Sequence, residues 1–378
     1  MTCLVRKDCV DKIIKPKYNS CMTIWLIDLE SVETRYTSQW KTHLPKLLDS
    51  VGEVRVMEGA DDIPPATTPG AFLNFGGTNI YKSTQIEKIS RAFTNGEVKQ
   101  GDHIIFTDAW HPGIINIKYM SELLGIKVIT HGLWHAGSYD EQDFLGRLIG
   151  DADWVRHAEK SMFHCFDHNH FASEFHIEMF GYELLGISKS EQQRLIESKK
   201  IVRTGWPMEY MRGTLEPYRT TEKRDLILFP HRIAPEKQPE IFKDLQKSLP
   251  EYEFIMCQEQ QLSKDQYHKM LAEAKMVFSA NLQETLGISA YEGAVVDTFP
   301  LVPDRLSYKE MYPDEFKYPT AWTSDWDSYL EHKDQLMQKI RQVMQSNQNT
   351  DRIKDLNDSL TKDFFSCDNM LEVIKSYG

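Results

Sequence analysis

The sequence predicts an α/β protein built from two domains, each around a parallel sheet. Three observations carry this reading. Short apolar runs alternate with amphipathic stretches of helix length along most of the chain, the signature of repeated strand–helix units. The length, 378 residues, allows two domains with cores of their own. A polar stretch, Met208–Arg224, separates two such series and reads as a linker. Sheets of this kind bind ligands beyond the carboxyl ends of their strands, so the turns after each strand are where chemistry is sought.

Composition sets outer bounds. Hydrophobic residues make up 41% and charged residues 26%, as in a soluble globular protein. A net charge of -12 argues against a protein held to nucleic acid by charge alone, though not against a local basic cleft. No run approaches the roughly eighteen apolar residues of a membrane span, and no signal-peptide core is visible. Cys3, Cys9, Cys21, Cys165, Cys257 and Cys367 contain no CxxC pair. That suits reduced thiols in a cytoplasm better than a disulfide scaffold or a structural zinc site.

Met1–Cys21 is polar and basic: a loose leader, an over-called start before Met22, or a basic arm for an anionic partner. Thr23–Asp28 is the first strand. Leu29–Trp40 follows, with a helix through about Leu48. Arg35 and Tyr36 in that turn either face an acceptor or anchor the loop. Glu53–Met57 and Ala71–Phe75 read as strands. The second leads into Gly76-Gly77-Thr78, a tight turn whose backbone can approach a ligand, and a helix over about Ser83–Phe93. Asp102–Thr107 is a strand, Ile114–Leu124 a helix, and Lys127–Thr130 another strand, placing His131 at a strand end.

The segment from His131 to Arg147 is dense in groups that bind sugars or bases. His131 and His135 are candidates for such a site, with Trp134, Tyr139 and Asp143 beside Ser138, Asp140 and Arg147 as further candidates, on the acceptor side. His157, His164, Cys165, His168 and His170 invite a metal site. His164 and His168 would share a helical face, but no carboxylate stands at a fitting spacing, so no metal ligand is assigned. Phe171–Phe180 reads as a short strand and helix, and Ile201–Pro207 as the last strand of a first domain spanning 22–207.

The second domain, 225–325, opens with the strand Asp225–Phe229, which delivers His231, Arg232 and, five residues on, Lys237 into a loop. Arg gives forked hydrogen bonds and Lys a point charge, a combination suited to a diphosphate. Units at about Gln238–Ser248, Glu253–Met256, Lys264–Ala274 and Met276–Ala280 continue the alternation. Glu284 and Glu292 then lie eight positions apart. If a helix begins near Gly287, the backbone of Leu286, Gly287 and Ile288 offers unpaired N–H groups and a positive dipole to a phosphate. Glu284 would face what the phosphate carries, and Glu292, inside the helix, could hold ribose hydroxyls. The plainer alternative is a surface helix with two solvated glutamates. Thr298–Pro303 reads as the next strand, and from about Trp326 to residue 378 the chain is helical and charged.

Glu284-x7-Glu292, preceded by Arg232-x4-Lys237, resembles the paired motifs of retaining glycosyltransferases with the GT-B fold, family 4 type. The resemblance covers most of Thr23–Tyr377. It implies two Rossmann-like domains facing a central cleft and a nucleotide-sugar donor such as a UDP- or GDP-sugar. It also implies no cofactor, metal-independent chemistry, and a C-terminal helix, within Phe364–Tyr377, that crosses back to the first domain. A histidine after the strand Lys127–Thr130, His131 or His135, would line the donor-sugar pocket. The chain departs from the pattern in its first turn, where glycines are replaced by Glu33, Arg35, Tyr36, Thr37 and Gln39.

Within the family, PHRIAPEKQPE, PLVPDRLSYKEMYPDEFKY and AEKSMFHCFDHNHFASEFHIEMF are similar to enzymes that mannosylate queuosine in tRNA. HGLWHAGSYDEQDFLGR resembles bacteriophage transferases acting on hydroxymethylated pyrimidines in DNA. The expectation is a glycosyltransferase acting on a modified nucleobase, in DNA or else in tRNA, and working in a cytoplasm, a host's if the protein is of phage origin. A glycan or small-molecule acceptor and a non-catalytic nucleotide-sugar binder are the alternatives. Nothing in the sequence fixes an oligomeric state.

Overall fold

In the computed structural model, residues 22–30, 36–63, 74–346 and 350–377 are described. Six parallel strands form the first sheet: β1 (Thr23–Ile27), β2 (Glu53–Met57), β3 (His103–Phe106), β4 (Ile129–Leu133), β5 (His168–Phe171) and β6 (Ile201–Arg203), in the order β2-β1-β3-β4-β5-β6. Five form the second: β7 (Arg224–Phe229), β8 (Glu253–Met256), β9 (Ala274–Phe278), β10 (Phe299–Pro303) and β11 (Lys317–Tyr318), in the order β11-β10-β9-β7-β8. All pairings are parallel, so each connection crosses over, mostly as a helix.

The two-residue period of the strands sorts side chains between layers. Ile24 and Leu26 pack into one core, Trp25 and Ile27 into the opposite one. Leu226 and Leu228 join the first of these cores, whereas Ile227 and Phe229 enter a third. The shared core therefore holds residues of both sheets. Ile353, Leu356, Leu360 and Ile374 of the C-terminal helices extend it.

Those helices return to the first sheet through named bonds. Trp206 N–H donates to the Phe364 carbonyl at 2.8 Å, Arg203 to the Asp363 carbonyl at 2.7 Å, and Asn369 to the Arg203 carbonyl at 2.8 Å. Gly205 sits at the crossing with φ +73°, where a Cβ would stand 2.3 Å from the Phe364 carbonyl oxygen. Only glycine fits there without displacing the backbone. Among the described residues no helix is long and apolar enough to cross a membrane.

Two sequence expectations are corrected here. β4 continues through Gly132 and Leu133, so His131 lies inside the strand, opposite His168. Its side chain is fully buried in a ladder: His103 Nδ1 is 2.8 Å from His131 Nε2, and His131 Nδ1 is 3.0 Å from His170 Nε2. Gly76 and Gly77 form no loop but open the helix Phe75–Thr94, whose first turn is capped by the Asn74 side chain accepting from Gly77 N–H. The segment Met208–Arg224 runs between β6 and β7 and holds a helix, Met211–Leu215, whose Met211 and Leu215 are buried. The leader Met1–Cys21 and most of the Ala71–Phe75 strand fall outside the described residues.

The buried histidines predict acid lability. Burial pushes His103 down to about 4 and His111, His170, His176 and His231 to about 3, from an ordinary 6.5. Below pH 6.5 the unfolded chain binds protons that the folded chain refuses, so stability falls by about 1.4 kcal/mol per pH unit for each such group. Asp28 and Asp143, pushed up to about 6 by burial, act oppositely below pH 6, as do the raised Asp140, Glu159, Glu174, Glu209 and Glu292, but they are fewer than the lowered histidines, which also include His43, His131, His168 and His268. Tm should fall as pH drops from 6.5 toward 4. A Tm that holds or rises over this window would contradict the protonation states assigned to the core.

Candidate active site

Strand β9 ends at Phe278 and hands the chain to Asn281–Gly287, before the helix Ile288–Val295. Gly287 caps that helix with φ +72°, and a Cβ there would lie 2.5 Å from Tyr308 Cε1. The loop therefore turns into the helix where only glycine is accommodated, as the sequence spacing suggested. Leu286 is fully buried and locks the loop to the shared core, and Ile288 packs against that core.

Glu284 stands before this helix end. Its carboxylate accepts from Asn281 Nδ2 at 3.0 Å and from Thr285 N–H at 3.2 Å, with Lys237 Nζ at 3.3 Å. Burial works to raise its pKa. Lys237, His231 and the Gly287 N–H outweigh burial and hold it below the ordinary value, so the group is a carboxylate at neutral pH. Lys237 also donates to the Gln283 carbonyl. Its side chain is 8% exposed.

Glu292 lies in a different environment. It is buried within the helix and accepts from Tyr267 O–H at 2.8 Å. Burial pushes its pKa up, partly offset by Tyr267 and Lys264. The two glutamates are thus not equivalent: one is held ionised beside a lysine, the other is biased toward protonation.

Arg232 follows β7 and pairs with Glu236, whose side chain is fully buried. Arg147, from the first domain, reaches the same Glu236 at 3.1 Å. Each candidate phosphate-binding cation thus already has a carboxylate neighbour, and a diphosphate would have to compete with it or share it.

The segment after β4 supplies the opposite wall. His135 Nε2 is 2.6 Å from the Thr107 carbonyl, which can only accept, so this nitrogen carries the proton. His135 Nδ1, 2.7 Å away, then accepts from Tyr36 O–H. Tyr36, Trp40 and Trp206 pack around the imidazole. The His135 carbonyl accepts from Thr285 Oγ1 at 2.8 Å, which links this wall to the loop carrying Glu284. Asp143 caps the helix Phe144–Ile149, accepting from Leu145 N–H at 2.9 Å, and lies in the field of Arg232.

Not every candidate reaches the cleft. Trp134 is enclosed in the core with its indole N–H on Asn169 Oδ1 at 2.8 Å, and Tyr139 is enclosed with its hydroxyl 2.7 Å from His176. Neither can touch an acceptor, and His131 is likewise interior. Gly76 and Gly77 belong to the helix that borders the first-domain cavity. Arg35 falls outside the described residues.

That cavity measures about 310 Å³ and adjoins the same wall, sharing His135 and Asp143 with it. Tyr36, Phe75, Trp110, Phe144, Leu145 and Ile149 supply apolar surface. Glu30, Lys82 and Asp108 supply polar groups that the sequence reading missed, and Thr78, read there only as part of a turn, supplies a hydroxyl. Asp108 had one usable signal, its place just past the carboxyl end of β3. Lys82, one helical turn after Thr78, had none.

No protein-family model matches this sequence, and no curated protein matches it significantly. Solved structures do match in three dimensions. Sucrose-phosphate synthase from Thermosynechococcus elongatus aligns with a TM-score of 0.58 at 12% identity, over 94% of this chain and 100% of that one. The α,α-trehalose 6-phosphate synthase from Burkholderia multivorans gives 0.59 at 10% identity, over 94% and 96%. The catalytic domain of starch synthase IV from Arabidopsis thaliana, solved with ADP and acarbose, gives 0.56 at 10% identity, over 95% and 99%. At such identities the likeness speaks for the fold. The chain has the two-domain GT-B fold, with Glu284, Lys237 and His135 brought together where its two sheets meet.

Proposed function

We propose that this chain is a retaining glycosyltransferase of family 4 type that moves a sugar from a nucleotide-sugar donor to a modified nucleobase. The observation that carries the transferase reading is the ionised Glu284, set beside Lys237 at the N-terminus of the helix Ile288–Val295. An anionic group before a helix end and a buried lysine suit a reaction in which a diphosphate departs and positive charge develops on the sugar. The matching structures, synthases of sugar phosphates and of starch, support it. The nucleobase acceptor, a hydroxymethylated pyrimidine in DNA ahead of queuosine in tRNA, rests on the segments around His231, Tyr308 and His135.

The division of roles follows from the environments. Lys237, Arg232 and the helix N–H groups neutralise the departing diphosphate. Glu284 stabilises the oxocarbenium character of the sugar, and the acceptor hydroxyl attacks the face the diphosphate vacates. Glu292, paired with Tyr267, holds ribose hydroxyls.

A donor screen tests this reading. Incubation with UDP-, GDP- and ADP-sugars should release a nucleoside diphosphate from one class. A protein that binds none of these nucleotides would contradict it. Because protein cations and a helix end supply the electrophilic assistance, turnover should persist in excess EDTA. Activity that disappears in the chelator and returns with Mn²⁺ would overturn the assignment of that role to Arg232 and Lys237.

A further inference from the structure

The first-domain cavity carries an inference about the acceptor that rests on the transferase reading above. Its volume, about 310 Å³, is at the low end of the roughly 300–1,000 Å³ typical of small-molecule sites. Its walls are largely flat and apolar. The Phe75 and Phe144 rings stack at 5.8 Å and 22°, and the Trp110 indole is held in place by its N–H bond to Glu159 at 2.9 Å. Such surfaces reward a planar ring and offer little to a polyhydroxylated one, whose unpaired hydroxyls would each cost about 1–3 kcal/mol when buried.

Charge points the same way. Lys82 is the one cation among the described lining residues, and it is bound to Asp108 at 3.1 Å and to the Trp110 carbonyl at 2.6 Å. Glu30, Asp108 and Asp143 line the same space, so a phosphorylated acceptor would meet net negative charge. Two polar atoms also stand unsatisfied. Thr78 Oγ1, in a residue 8% exposed, and Glu30 Oε2 are buried without a hydrogen-bond partner among the described residues. Buried polar atoms are rarely left so, and both belong to residues that line the cavity.

We propose that this cavity selects the acceptor by a neutral planar ring bearing a hydroxyl group, with Thr78 and Glu30 pairing with the ring's polar edge, and that it admits neither a phosphate nor a polyhydroxylated ring, so that the ribose and phosphates of a nucleic acid stay outside it. Thr78 and Glu30 are then determinants of acceptor choice. The ring can arrive as a free nucleoside or as part of an oligonucleotide, and both present the same chemistry to the cavity.

Calorimetric titration distinguishes the possibilities, with 5-hydroxymethyluridine, a single-stranded oligonucleotide containing that base, and glucose 6-phosphate as probes. The wild-type protein should bind one or both of the first two and not the third. Ala136→Trp, which fills the cavity, should weaken ring binding more than about tenfold, as overpacking would. Thr78→Val, nearly isosteric, should weaken it by about three- to tenfold, the equivalent of one hydrogen bond. Nucleoside diphosphate affinity should be unchanged in both variants. The inference is overturned if glucose 6-phosphate binds as well as the ring alcohols, if neither ring alcohol binds, or if both variants bind them like wild type. Loss of nucleoside diphosphate binding by the wild-type protein would instead count against the transferase reading itself.

Discussion

Replacing Glu284 by Gln is expected to lower turnover by roughly 10²–10³-fold, the scale seen when one preorganised electrostatic stabiliser is removed. Affinity for a nucleoside diphosphate should hardly change. The substitution is mild for the fold, because an amide oxygen can still accept from Asn281 and Lys237 where the carboxylate does now. What it removes is the charge that Lys237, His231 and the Gly287 N–H keep ionised against burial. A loss in kcat without a loss in ground-state binding is the mark of an interaction made at the transition state. Glu292→Gln should do the reverse, weakening donor binding more than turnover, since Glu292 sits with Tyr267 away from that loop. Single-turnover rates and calorimetry on both variants decide the matter. Equal effects on both quantities in both variants would sink the division of labour.

Lys237→Ala should cost on the order of 10²-fold in turnover, and free nucleoside diphosphate should bind more weakly. A second effect separates this lysine from a mere structural prop. With Lys237 gone, burial is less opposed at Glu284, so its pKa rises toward the neutral range. The carboxylate is the active form, so the acidic limb of the pH–rate profile should move to higher pH. Arg232→Ala should cost a similar factor, although Arg232 is already tied to Glu236. Wild-type turnover in both alanine variants would remove the cations from the mechanism.

How much of this was legible in sequence depended on how local the signal was. The helix start at Gly287 was readable because its cause is local, a positive φ that glycine accepts; the lack of room for a Cβ beside Tyr308 is a tertiary constraint added to it. Strands such as β1 and β7 announced themselves through apolar runs, since in a parallel sheet both faces are covered. His131 was misplaced because Gly132 looks like a strand terminator, whereas pairing with β5 carries the strand on to Leu133. The pair Gly76-Gly77 suggested a turn, but the Asn74 cap makes it the start of a helix, where Ile63 leaves Gly77 no room for a Cβ. Trp134 and Tyr139 took their burial from Asn169 and His176, partners 35 and 37 positions away, which no local spacing reveals. The cavity is the extreme case. Glu30, Thr78, Asp108 and Asp143 come from four separate segments, and only the folded sheet brings them to one space.

The central claim is that sugar is transferred, not merely bound, at Glu284. Its most direct test is the mass and anomeric configuration of an acceptor, a 5-hydroxymethylpyrimidine nucleoside or oligonucleotide, after incubation with the donor whose nucleotide the protein binds. The account predicts a gain of one sugar residue, the donor's anomeric configuration in the product by NMR, and loss of the product with Glu284→Gln. An inverted anomer, or a donor that binds beside Lys237 while these and glycan acceptors keep their mass, would contradict it.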